Sequence, residues 1–143
     1  YKAYEAAGCK TYFNKKDHLW TLYEYETGAF TLPENAQAGM IYAGCNCGNC
    51  HITISSNGDV MACRRVMDSK VANVFEDRLA DVWICQMEKY RDYEKFSKCS
   101  KCELKAWCRG CPAVANGTTG SFYGADPQCW KTKNDITGEA LTC

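Results

Sequence analysis

The chain has 143 residues, a length that suits one small domain with an extension. Its 17 basic and 17 acidic residues cancel, which argues against a nucleic-acid-binding domain and its usual basic excess. No stretch approaches the roughly 20 apolar residues of a membrane span and no signal peptide is visible, so the expectation is a cytoplasmic protein with neither membrane nor nucleic acid as partner.

Residues 1–44 hold one cysteine, Cys9, and many aromatics. The stretch Leu19–Glu26 mixes apolar and acidic residues and reads equally as a strand or a short helix. Pro33 suits the first turn of a short helix over 32–38. The whole region reads as a connector, or as the tail of a domain on its N-terminal side.

The next stretch carries clearer signals. His51-Ile52-Thr53-Ile54-Ser55 alternates polar and apolar residues, the period of a strand. Asn57-Gly58 signals a hairpin turn of type I′, which needs positive φ at both central residues. Asp59-Val60-Met61-Ala62-Cys63 is then the returning strand. Such a hairpin brings Cys63 back beside the loop Cys45-Asn-Cys47-Gly-Asn-Cys50, so four thiols meet at one end of it.

Residues 77–96 read as one amphipathic helix. Leu79, Val82, Trp83, Gln86, Met87, Tyr90 and Tyr93 recur at spacings of three and four, with Asp77 as N-cap. Cys85 within it reads as a small core residue. Residues 97–130 are rich in cysteine and loops, broken by Gly110, Pro112, Gly117, Gly120, Gly124 and Pro127. Such a segment cannot build a large apolar core, and bonds to a metal cofactor are the natural means of ordering it.

Twelve cysteines in this length are near the density of a secreted disulfide scaffold. Their spacing points elsewhere. Repeated close pairs, as in Cys99-x2-Cys102-x5-Cys108-x2-Cys111, present two sulfurs to one point, which suits a metal. Four thiolates serve a [4Fe–4S] cluster or a tetrahedral zinc equally well, so count alone leaves an iron–sulfur protein and a structural zinc-binding interaction module both open. The two histidines, His18 and His51, stand in no zinc-finger spacing.

The order of the cysteines is more specific. Cys45, Gly58-x4-Cys63, Cys99-x2-Cys102-x5-Cys108-x2-Cys111 and Cys129 together resemble the seven-cysteine SPASM domain of radical SAM enzymes. Val71–Asp77 with the segment after it, and the corner Cys108-Arg-Gly-Cys111-Pro112, are similar to further parts of that pattern. One spacing departs: two residues, not three, separate Cys108 from Cys111. The resemblance implies a small α+β fold, a β-hairpin followed by helices and cysteine-rich loops around two [4Fe–4S] clusters. It spans residues 45–130, with 1–44 as connector or tail of an N-terminal radical SAM barrel and 131–143 as a C-terminal tail. By resemblance Cys99, Cys102, Cys108 and Cys129 hold one cluster. Cys45, Cys63 and Cys111 hold the other, with Cys50 as preferred fourth ligand and Cys47 as the next choice. A peptide or protein substrate and a parent that modifies it are implied likewise. The SAM-cleaving Cys-x3-Cys-x2-Cys motif does not occur, so S-adenosylmethionine belongs to the full-length parent and this chain by itself is expected to be non-catalytic.

Overall fold

A computed structural model describes residues 2–13 and 18–131, and the expected C-terminal tail, apart from Lys131, lies outside the described residues. The fold is small and α+β. Its centre is a three-stranded antiparallel sheet in the order β1 (Thr53–Ile54), β2 (Asp59–Met61), β3 (Lys70–Asn73). The described residues also form four short α-helices: α1 (Lys2–Ala6), α2 (Trp20–Glu26), α3 (Leu79–Asp81) and α4 (Pro112–Thr119).

The expected hairpin is present, but its turn differs. Ser55 N–H donates to Asp59 O at 2.9 Å, and Gly58 N–H donates to Ser55 O at 2.9 Å. The loop therefore has three residues, with Gly58 alone at positive φ (+85°). A three-residue loop ends on a left-handed residue, and only Gly fits here because a Cβ would lie 2.6 Å from the Phe75 ring. The sheet has a third strand, β3, beyond the hairpin that the sequence pattern specifies. Its Asn73 side chain donates to Asn57 O at 3.0 Å and to Asp59 Oδ1 at 3.1 Å, tying β3 to the turn.

The helix expected over 77–96 is broken. α3 runs into a π turn, Val82–Gln86, and then into 3-10 turns at Glu88–Arg91 and Tyr93–Lys95. Asp77 caps no helix; its carboxylate accepts the Asn73 N–H at 3.0 Å and so closes the loop after β3. The break turns Val82, Met87 and Tyr90 onto the sheet while leaving Cys85 exposed, so Cys85 is not a core residue. Residues 32–38 form turns and no helix, whereas Leu19–Glu26 resolves as helical. Within 97–130, α4 appears where breakers suggested loop. Pro112 occupies its first turn, where no N–H is needed, and Gly120 ends it in the left-handed conformation (φ +71°).

Two cores result. The larger packs Val60, Val66, Met87, Tyr90, Phe96 and Phe122 between the sheet and the 3-10 turns. The smaller joins Leu19 and Leu22 of the N-terminal stretch to Leu104 and Cys108. Met87 is fully enclosed, so Met87→Ala is expected to cost roughly 3 kcal/mol in urea unfolding through lost contacts and a residual cavity. No helix among the described residues is long and apolar enough to cross a membrane.

Candidate metal centres

Cys45, Cys47, Cys63 and Cys111 line one cavity of about 460 Å³, with His18, His51, Arg64 and Arg65 around them. Each thiol is presented by a fixed piece of backbone. The Cys45–Cys50 loop folds on itself through Gly48 N–H to His51 O at 3.1 Å and Cys50 N–H to Asn46 O at 3.1 Å. Gly48 (φ +70°) packs so tightly on Tyr90 that a Cβ would come within 2.5 Å of the tyrosine Cβ. Cys63 follows β2, and the buried Ser69 hydroxyl accepts its N–H at 3.1 Å. Cys111 stands at the N-cap of α4, where its N–H donates to Asp126 Oδ2 at 2.7 Å.

The electrostatics of this cavity are those of thiols crowded with imidazole. Hydrogen bonds to Cys111 and then Cys45 raise His18 to about 10. Cys45 is pulled below the ordinary thiol range, first by its hydrogen bond with Cys47 and further by His18. Cys47 is pushed up, because its hydrogen bond to Cys45 keeps its proton and burial adds to the effect. Cys111 is lowered by His18 and by backbone N–H groups of the first turn of α4.

Cys99, Cys102, Cys108 and Cys129 line a second, smaller cavity with Leu22, Leu104, Gly110, Lys98 and Lys131. Lys98 Nζ donates to Cys129 O at 2.9 Å. Burial is the main reason the thiols of Cys99, Cys102 and Cys108 are raised, Cys99 to about 12, and the neighbouring sulfurs add to it. Four such thiols cannot all ionise without a cation among them. A bound metal would supply that charge and displace the protons, so both donor sets fit a thiolate-ligated centre.

The departure at the corner has a structural consequence. Gly110 adopts φ +63°, and the two-residue step through Arg109-Gly110 lets Cys108 face one cavity and Cys111 the other. Cys50 is exposed and does not line the cavity that Cys45, Cys47, Cys63 and Cys111 share; Cys47 occupies that place. Cys9 is exposed as well. The eleven described cysteines are all free thiols. Among the described residues no three His, Cys, Asp or Glu side chains come close enough together to grip a single ion.

Of the cations beside these cysteines in sequence, Arg64 and Arg65 line the first cavity, Lys98 the second, and Lys105 pairs with Glu94. Trp107 stacks on Tyr42 and Trp83 packs under Arg91, and neither is among the residues lining the two cavities. Three contributors had no signal in the sequence. His18 lies far along the chain from the thiols it contacts, Asp126 accepts the backbone N–H of Cys111 from 15 residues away, and Ser69 is one of several unremarkable serines.

Residues 45–112 match the family model of SPASM, an iron-sulfur cluster-binding domain, so the resemblance carried by the cysteine order holds over that stretch. Over 89 residues, 60% of this chain, the sequence is 33% identical to the AdoMet-dependent heme synthase of Methanosarcina barkeri (strain Fusaro / DSM 804). The aligned part covers 25% of that relative, so this chain spans about a quarter of its length. No solved structure matches the chain.

Proposed function

We propose that this chain is the auxiliary-cluster region of a radical SAM enzyme and carries two [4Fe–4S] clusters. The observation that supports this reading is the sorting of eight cysteines from distant segments into two cavities of four each, seven of them within a stretch similar to an iron–sulfur domain. Cys45, Cys47, Cys63 and Cys111 would hold one cluster, and Cys99, Cys102, Cys108 and Cys129 the other. Bound there, the clusters would supply one-electron acceptor and donor sites next to the substrate.

The chain's own residues divide the roles. Leu22 and Leu104 keep water from the second cavity, which suits a buried electron carrier. The first cavity is wider and bordered by Arg64 and Arg65, which suits contact with a substrate. In the proposed organisation residues 45–130 form the cluster domain and 1–44 lead from an N-terminal barrel that binds S-adenosylmethionine, in a cytoplasmic enzyme. A peptide or protein is the proposed substrate. The relative named for heme synthesis favours a second reading, in which the parent acts on the way to heme.

Metal analysis of anaerobically purified protein tests this. A brown sample with about eight iron and about eight sulfide per chain is expected. Colourless protein with about two zinc ions per chain would replace the reading with a structural zinc module.

A further inference from the structure

Arg109 is 4% exposed, yet none of the ion pairs among the described residues involves it. Its guanidinium is held on every side. Nη1 donates to Lys105 O at 2.8 Å, and Nη2 donates to Ala43 O at 2.9 Å and to Cys45 O at 3.2 Å. Its Cζ lies 4.9 Å from the centre of the Tyr93 ring. Carbonyls and a ring face satisfy hydrogen bonds but bring no full negative charge. A buried cation without a counter-charge is costly, so the anion has to come from elsewhere.

The surroundings say from where. Arg109 sits in the step between Cys108 and Cys111, which line different cavities. Its hydrogen-bond partner Cys45 lines the first cavity, and its chain neighbour Cys108 lines the second. We infer that Arg109 is a single counter-ion shared by the two cluster sites, fixed between them so that its charge acts on both. The inference rests on the two-cluster reading above. A four-thiolate cluster is anionic and becomes more so when it gains an electron. A cation fixed between two such centres therefore favours the reduced form of each, and it does so through charge and not through hydrogen-bond shape.

The test is an EPR-monitored dithionite titration of the loaded protein and two variants. Iron and sulfide are counted first; a wild-type protein without two clusters defeats the two-cluster reading itself, before Arg109 is at issue. With both clusters present, Arg109→Gln is expected to lower the reduction equilibrium of each at least tenfold, about 59 mV for a one-electron couple. Arg109→Lys, which keeps the charge and loses the planar fork, is expected to hold both potentials near wild type. Unmoved potentials in Arg109→Gln, or a shift in one cluster only, would overturn the inference. If Arg109→Gln fails to hold iron, Arg109→Lys decides alone. Iron retained with both potentials kept supports a charge role; iron retained with both potentials lowered tenfold, or iron lost, refutes it.

Discussion

Cys129→Ala is expected to remove about half of the bound iron and leave the hairpin site loaded. Cys129 shares its cavity with Cys99, Cys102 and Cys108, and its backbone is anchored independently of the sheet. Its N–H donates to Asp126 O at 3.1 Å and its carbonyl accepts from Lys98. Removing the thiol therefore takes one ligand from the second set and disturbs none of the first. Cys63→Ala is the converse, since Cys63 follows β2 and lines the first cavity. Iron and sulfide counts with EPR of each variant decide the matter. Equal loss of both signals from either substitution would mean that the two sites assemble only together, which the enclosure of Cys63 and Cys99 in one core makes worth testing. The same measurement separates Cys47 from Cys50. Cys47→Ser is expected to deplete the first site, and Cys50→Ser to leave it full, because only Cys47 lines the cavity. Iron lost from Cys50→Ser and kept by Cys47→Ser would reverse that assignment.

Gly110→Ala is expected to destabilise the fold by roughly 2.5–5 kcal/mol, combining about 1–2 for a left-handed backbone with a side chain and about 1.5–3 for a strained charged hydrogen bond. The added Cβ would lie 2.6 Å from Asp126 Cβ and 2.9 Å from its Oδ2. That carboxylate receives the N–H groups of Cys111 at 2.7 Å and Gln128 at 2.9 Å, so it cannot withdraw without releasing both loops. One of those loops carries Cys111 and the other Cys129, one from each thiol set. Gly117→Ala is the control. It sits within α4 with nothing within 4 Å of a new Cβ, so it is expected to stabilise by about 0.5–1 kcal/mol. Urea denaturation followed by circular dichroism compares them. A Gly110→Ala loss below about 1 kcal/mol would mean that the corner relaxes and does not hold Cys111 in place.

The features legible along the chain were those set by near neighbours. Alternation over 51–55 and the glycine at 58 specified a hairpin, although the loop took three residues because Asn57 stays at negative φ. Gly117 and Gly120 read as breakers, yet the first is tolerated inside α4 and the second ends it. The period over 79–93 selected the buried face correctly at Val82, Met87 and Tyr90. It did not reveal the π turn, which follows from fitting that face onto a three-stranded sheet whose last strand carries little local signal.

The cysteine pattern, read as an order of spacings, was enough to place this chain beside an iron–sulfur family, because metal chemistry restricts which residues and intervals can converge. Which thiol faces which cavity was decided by packing. Cys47 and not Cys50 turns inward because Gly48 locks the loop against Tyr90, and Cys108 and Cys111 diverge because Gly110 adopts a left-handed backbone. The approach of His18 to those sulfurs, the grip of Asp126 on the Cys111 backbone, and the enclosure of Arg109 between the two thiol sets depend on contacts between residues far apart along the chain. Spacing cannot encode such contacts; they exist only once the sheet, the turns and α4 have closed around a common interior.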